Sequence, residues 1–576
     1  MIVYGDSEHV APPAEVVAGL RRDLAAYLAE PHGLSAHSRL IGAFITAAEL
    51  VQAIADHEMA AAGGIDVDGD GERAGKHLLL LLARQIATSW RNHFQPGQPL
   101  PSAWEDHLAH LAVSTPLRLR EGEGYLHYAL YPEGYLDAAL RSGLGPDTCV
   151  IGLRSIGTGL AALVAAGLGA ERFFTLRPVD HPFDRRIVPA EPLARAILAA
   201  TGPYAIVDEG PGKSGSSFGG VADWLERNGV DRDRIHFFPS HAGEPGDQAS
   251  AGQLTRWRAA SRHVAGFSGQ HLAEHLSRWL PHLIGSLDAP LQEISGGGWR
   301  QASDATAPAD RQMEKLKFLA QAGGKRYLVK FAGVGPSGNR KLEQALALFR
   351  HGHVPEPVGL AHGFLLQRWV EGPNVQDVDF NRSRFLEQAG AYLGARARLL
   401  PAATGGASLA QLADMAAINL GERLGTAAQH AIRTHLQPLA EQEHPVRPVF
   451  TDNRLQRWEW LHPGNGSFVK TDALDHATGH DLIGCQDIAW DVAGLMAEFD
   501  LAREDLSRLL HVVGTSAGYA VDHQLVRLLL PCYLAFQLGL WTDALARADG
   551  EDHQRIAALL DGYAGKAARL LGVNVD

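Results

Sequence analysis

The sequence predicts a multidomain chain of mixed α/β and α+β class, and three observations carry that prediction. Residues 11–115 place apolar side chains at three- and four-residue spacing, the period of amphipathic helices. Between about 120 and 240, short apolar strands alternate with Gly/Ser-rich turns and helices, the pattern of a parallel sheet. From about 290, Gly-rich β-like sequence gives way to helices after about 380. A chain of 576 residues is also too long for one core. The expected segments are a helical N-terminal region over 1–115, a parallel-sheet domain over 116–245, a linker over 246–288 and a two-lobed domain over 289–576.

Composition narrows the function classes. Hydrophobic residues make up 46% and charged residues 20%, with a net charge of −13. No basic excess exists to neutralise a phosphate backbone, so nucleic acid is not an expected partner. Cys149, Cys485 and Cys532 are far apart and odd in number, which fits neither a disulfide framework nor a CxxC metal site. The opening MIVYGDSEHVAPP has no basic head and no apolar run, so no signal peptide is expected there. The burst HLLLLLARQIA is shorter than a membrane span, which needs about 20 residues. A cytoplasmic protein without a membrane partner is the expectation.

The helical region contains DVDGDGERAGKH. Asp66, Asp68, Asp70 and Gly71 match the first half of a calcium-binding loop, but His77 stands where a bidentate Glu belongs. An acidic, Gly-rich surface loop is expected instead.

The parallel-sheet segment holds AIVDEGPGKSGSS. A strict P-loop is not the expected reading, because its first glycine would fall at Val207, inside the strand. Asp208 and Glu209 then sit at the C-terminal end of that strand, where ligands bind in open α/β sheets. Gly210, Gly212, Lys213, Ser214, Gly215, Ser216 and Ser217 form a turn into a helix. Its N–H groups, the helix dipole and the serine hydroxyls suit a phosphate. The two carboxylates suit vicinal hydroxyls, and together these point to a ribose 5-phosphate.

An apolar strand, two acids and a small-residue loop resemble the ribose-phosphate motif of the type I phosphoribosyltransferase family. VIGLRSIGTGLAALVAAGLG resembles that family's second element, with Arg154, Ser155, Gly157 and Thr158 leading into a helix. The resemblance implies phosphoribosyl pyrophosphate (PRPP) as ligand, with Mg2+, and chemistry at ribose C1 in which Arg154 steadies the leaving pyrophosphate. Arg177, Arg185 and Arg186 are weaker candidates for added positive charge, and His181 and His241 read as polar surface or pocket residues.

The two-lobed segment opens with ISGGGWRQ, a candidate glycine-rich loop at Gly297 and Gly298. Lys330 follows on an apolar strand, then a helix with Glu343, then FLLQRWVEGPNV. This order resembles the small lobe of the protein-kinase-like fold, especially the aminoglycoside phosphotransferases. The resemblance implies ATP held by a Lys330–Glu343 pair. It also implies Asp452 of VFTDNRLQRWEWL as base and Asp472 or Asp475 of FVKTDALDH as metal ligand. Asp487 and Asp491 would lie on a helix closing the lobe. The family's His-Gly before the base is Phe450-Thr451 here, and its Asn is Arg457, so Asn453 or Glu459 stand as substitute metal ligands.

Two phosphate-handling modules imply a bifunctional enzyme of nucleoside or nucleotide type. It would join phosphoribosyl transfer, or the reverse pyrophosphorolysis, to ATP-dependent phosphorylation of a small hydroxylated substrate. Its partners would be nucleosides, nucleotides or phosphosugars. Two alternatives stay open: a non-catalytic PRPP or nucleotide sensor, and a small-molecule kinase with a recruiting domain. The assembly state is open too, a homodimer included.

Overall fold

The structure, a computed structural model, describes residues 8–303, 307–441, 444–464, 466–479 and 482–572. The first seven residues of the N-terminal region therefore lie outside it.

The N-terminal region is helical, with Pro13–Ala29, Gly33–Ala61 and Asp70–Arg91 as its long helices. Helix Gly33–Ala61 is apolar on most of its circumference and buries Leu40, Phe44, Val51 and Ile54. Along with His523–Arg547, it has the length and composition to cross a membrane; 78% of each apolar window is packed inside the protein. A helix packed on nearly all sides carries apolar residues around most of its circumference, which accounts for the length of the run.

A five-stranded parallel sheet follows, in the order Phe173–Leu176, Cys149–Leu153, Tyr204–Val207, Ile235–Phe238, Ser261–Arg262. Its central strands are continuously apolar because both faces are covered. Val150, Ala205, Val207 and Phe238 point into the core shared with the N-terminal helices. Ile151, Leu153, Ile206 and Phe237 join Phe218, Leu225 and Trp257 on the other side.

Residues 246–288, expected as a linker, are instead structured. Strand Ser261–Arg262 supplies the sheet's edge, and helix Gly269–Trp279 buries Leu272, Leu276 and Trp279. The polar composition of the stretch reflects one exposed helix face, not a missing core.

An antiparallel sheet runs in the order Gln292–Glu293, Lys317–Ala322, Lys325–Phe331, Phe364–Arg368, Pro357–Ala361. Two tight hairpins set its register. Gly323 and Gly324 have φ of 56° and 68°, and His362 and Gly363 have φ of 43° and 93°. Both turns carry positive φ at both central residues, as two-residue hairpins prefer. One face of this sheet, through Phe318, Val329, Phe331 and Phe364, packs into the same core as the N-terminal helices. Gly42 and Gly335 meet there so closely that a Cβ on Gly42 would sit 3.5 Å from the Gly335 Cα.

The remaining chain is mainly helical. Arg382–Leu399, Leu409–Leu424, Ala489–Phe499, Arg503–Ala517, His523–Arg547 and Gly550–Leu571 enclose a separate core around Trp490, Tyr533, Phe536 and Leu509.

Candidate functional site

A cavity of about 1030 Å³ lies between the antiparallel sheet and the helical lobe. Lys330 stands on its wall, opposite Lys317 in the hairpin register. Like charges directly across a sheet repel. Here carboxylates offset that: Glu314 takes Lys317 at 3.1 Å, while Asp472 and Asp475 (2.7 Å) take Lys330. Burial alone would lower the Lys330 pKa, but these two carboxylates outweigh it and raise it. Lys341 reaches in from helix Pro336–Phe349 to Asp475 at 2.5 Å. Lys315, on the same wall, contacts His127 Nδ1 at 2.7 Å and donates to the Leu126 carbonyl at 3.2 Å. Four lysines and the three carboxylates of Glu314, Asp472 and Asp475 thus line one wall, with the Trp369–Gly372 connection beside them; burial and the neighbouring Lys341 push the Lys315 amine well down.

Several sequence expectations need correction here. Lys330 does not pair with Glu343, which is exposed on the outer face of its helix; the helix presents Lys341 instead. Gly297 and Gly298 form a turn, but the Gly297 N–H donates to Glu314 at 3.1 Å, and neither glycine is on the cavity wall. Asp452 is fully buried behind the wall. It accepts from Tyr392 and lies 3.3 Å from Lys470 Nζ, so its carboxylate is spent on structure. Asn453 is likewise committed, accepting from Trp490 Nε1 at 2.8 Å and donating to the His476 carbonyl at 3.1 Å.

Other expectations acquire a geometry. Asp472 and Asp475 both face the cavity. Asp491 accepts from the backbone N–H groups of Asp452 (2.8 Å) and Asn453 (3.0 Å), bracing that loop from helix Ala489–Phe499. Burial pushes its carboxyl up to about 6. Asp487, expected on that helix, lies before it on strand Gln486–Asp487; it accepts from the N–H groups of Arg447 and Ala489, both at 2.9 Å, and does not line the cavity.

Glu459 is the acidic residue whose weight the sequence reading underrated. It lines the cavity, accepts from Thr471 Oγ1 at 3.3 Å, and burial pushes its carboxyl up to about 7. Lys315, Lys317, Lys341 and His476 were missed; of these, Lys317 was legible as the partner of Lys330 in the register of the Gly323-Gly324 hairpin.

The second candidate region is on the parallel sheet. The chain leaves strand Cys149–Leu153 toward one edge and strand Tyr204–Val207 toward the other, so the strand order reverses between them. Crevices outside the C-terminal ends of strands at such a reversal bind ligands. The loops carrying Arg154–Thr158 and Asp208–Ser217 flank this point. They touch: a Cβ on Gly157 would lie 2.7 Å from the Val207 carbonyl and 3.5 Å from Asp208 Oδ1. Burial pushes Asp208 up to about 7, against the pull of its own backbone surroundings and of Arg177 and Arg185. Glu209 packs against Gly124, where a Cβ would lie 2.8 Å from its carboxylate.

Not every predicted residue is turned to that crevice. Arg154 is buried in an ion pair with Asp66 and lies 3.5 Å from Asp56, so its guanidinium braces the N-terminal helices. The expected surface loop is thus only partly one: Asp70 is exposed, but Asp66 is fully buried and the half-buried Asp68 pairs with Lys76 at 2.5 Å. Ser214 donates to Ser216 Oγ at 2.9 Å, and Ser216 donates to the Pro182 carbonyl at 3.2 Å. These hydroxyls pin the Val179–Arg186 hairpin. Arg186 pairs with Asp180. Gly212 and Lys213 are exposed, Ser155 and Ser217 are half-buried, and Thr158 is buried at the start of its helix. Gly210 lies against His241, 2.8 Å from a Cβ position to Nε2, and Gly215 has φ of 70° at the helix entry.

Neither a protein-family model nor a curated protein matches the chain. Among solved structures, the chain is similar to a choline kinase from Streptococcus pneumoniae, at 14% identity and a TM-score of 0.33. That match covers 51% of this chain and 99% of the other. It is also similar to a choline/ethanolamine kinase family protein from Mesorhizobium loti, at 15% identity and a TM-score of 0.33, covering 52% and 94%. An ethanolamine kinase from Plasmodium vivax matches at 11% identity and a TM-score of 0.33, covering 54% and 90%. Scores this low leave the function to the site's own residues.

Proposed function

We propose that the chain is a phosphotransferase that uses ATP to phosphorylate a small hydroxylated substrate in the cavity between the antiparallel sheet and the helical lobe. The observation that carries this is the convergence of Lys315, Lys317, Lys330 and Lys341 with Asp472 and Asp475 on one wall. Ammonium groups suit the oxygens of a polyphosphate. Asp472 and Asp475 offer the hard carboxylate oxygens that Mg2+ takes alongside substrate phosphates, so the residues fit that ion. When bound, Mg2+ would neutralise charge building on the transferring phosphoryl group.

The chain's own residues supply the rest. The lysines orient the phosphates and stabilise charge as it shifts toward the leaving oxygen. Glu459, with its carboxyl near 7, takes the acceptor hydroxyl's proton. Leu328, Leu365, Trp369 and Val370 give the apolar walls that suit a nucleobase. The test is ATP binding by calorimetry with and without Mg2+. Lys330→Ala is expected to weaken ATP binding at least tenfold, and Asp472→Asn to abolish only the Mg2+-dependent gain. ATP binding unchanged in both variants overturns the reading.

A second reading adds phosphoribosyl chemistry at the parallel sheet, making the enzyme bifunctional. What supports it is the position of Asp208 and Glu209 at the strand-order reversal, with Arg177 and Arg185 close enough to act on Asp208. Because Ser214 and Ser216 are tied to the hairpin, the phosphate would rest on backbone N–H groups near Gly212. Asp208→Asn is expected to abolish stabilisation by PRPP in a thermal-shift titration while leaving ATP stabilisation intact. A wild-type protein that PRPP and ribose 5-phosphate leave unshifted sinks this second reading alone.

A further inference from the structure

We propose that His37, Glu133 and His362 form a zinc site that ties the N-terminal helices to the antiparallel sheet. The three come from helix Gly33–Ala61, helix Pro132–Arg141 and the hairpin turn before Phe364. Their ligand atoms all lie within 4.8 Å of one another. His37 Nε2 lies 2.8 Å and His362 Nε2 2.7 Å from the same oxygen, Glu133 Oε1. His37 and Glu133 are fully buried, and His362 is 3% exposed. The set is separate from the lysine-lined cavity, whose wall includes none of the three.

Four features point to a cation. A carboxylate sealed from water needs compensating charge, because burial of an unpaired one costs several kcal/mol. Its second oxygen, Glu133 Oε2, is buried with no hydrogen-bond partner, so the group still has a coordinating atom to give. Each imidazole is also held from behind: Ser89 Oγ lies 2.9 Å from His37 Nδ1, and Ser38 Oγ lies 2.8 Å from His362 Nδ1. Anchoring the far nitrogen fixes the tautomer and ring orientation, as around ligating histidines. Finally, His362 sits at a positive-φ turn position that favours Asn or Gly, yet its side chain is turned inward.

Two imidazole nitrogens and a carboxylate are a donor set for zinc. With both Glu133 oxygens bound, the ion has four donors and no position open to water. Trp90, Phe94, Tyr131 and Trp279 pack around the two histidine rings, so the surroundings are dry. That makes the ion structural. Zinc bonds of about 2.0–2.2 Å set each imidazole nitrogen roughly 3.3 Å from the nearer carboxylate oxygen, so the rings draw back from the carboxylate by about half an ångström on binding. The Nε2 protons leave, and each Nδ1–H donates to its serine.

The test is metal content of the full chain after exhaustive dialysis, followed by Co2+ titration of the chelator-stripped protein. Expected are stoichiometric zinc, a visible ligand-field spectrum of four-coordinate cobalt, and a melting temperature that falls on stripping and recovers with zinc. Glu133→Gln, which keeps the packing, is expected to lose both the zinc and the recovery. Ser38→Ala is expected to bind zinc about 10- to 100-fold more weakly while remaining folded, so the proposal stays testable if Glu133→Gln does not fold. A folded wild-type chain without zinc and without a cobalt spectrum overturns it. Equal zinc in wild type and Glu133→Gln, the mark of surface histidines, also overturns it.

Discussion

Glu459 shows how a single carboxyl can carry two pH effects of opposite sign. Burial raises its pKa from about 4.5 to about 7 in the folded protein. As a base it works only when ionised, so turnover is expected to rise with pH through about 7. Glu459→Gln is expected to remove that limb and lower kcat by roughly 10²- to 10⁴-fold. Stability moves the other way. The folded state binds this proton more tightly than the unfolded state, so the contribution is full below about 4.5 and is lost as pH rises through about 7. The variant is expected to be less sensitive to pH over that window in denaturant titrations. A pH–rate profile identical to wild type removes Glu459 from the chemistry. Asp452 sits within the same lobe, but its carboxylate is occupied by Tyr392 and Lys470, which leaves it little to offer a substrate.

At the scale of elements, what the sequence made legible followed from local geometry. The Gly323-Gly324 turn pairs Ala322 with Lys325, which by counting places Lys317 opposite Lys330. The strand ending at Val207 and the turn after it were readable for the same reason: a continuous apolar run and Gly-rich punctuation. Helix Pro336–Phe349 was readable as a helix, but its inner face was assigned by motif order. Residues 341 and 343 are about 200° apart around a helix, so only one can face inward. Lys341 shares the face of Ala345 and Leu348, both buried, and Glu343 does not. The i, i+4, i+7 spacing of those three would have corrected the choice. No local pattern could reveal that Ser214 and Ser216 would bind the Pro182 turn, or that Arg154 would be taken by Asp66. Those pairings depend on elements far apart in the chain. His37, Glu133 and His362 are the extreme case, spread over three elements.

For the whole molecule, the layout of cores matters more than the layout of motifs. The sequence divides at about 289, where a two-lobed domain was expected to begin. The cores divide elsewhere. One runs from Val17 to Leu366 and joins the N-terminal helices, one face of the parallel sheet and the antiparallel sheet. The second encloses the helical lobe from Leu348 onward. The antiparallel sheet therefore lines the lysine-rich cavity beside the second core while its other face belongs to the first. Polar ties reinforce that junction: Tyr131 donates to the His362 carbonyl at 2.7 Å, and the Val334 N–H donates to the Tyr125 carbonyl at 2.9 Å. Helix Glu123–His127 stands between the two candidate sites, with Gly124 against Glu209 and His127 against Lys315. A chain cut to residues 289–576 would expose Phe318, Val329, Phe331, Phe364 and Leu366 to water. Each is worth about 1.5–3 kcal/mol when buried, and a domain's whole stability is about 5–15 kcal/mol. The fragment is therefore expected to aggregate, or to keep only its helical lobe folded, and to lose ATP binding although every lysine and aspartate of the cavity wall remains. Gel filtration, circular dichroism and ATP calorimetry on the fragment check this. A monodisperse fragment that binds ATP as the full chain does would show that the antiparallel sheet is held by the helical lobe alone.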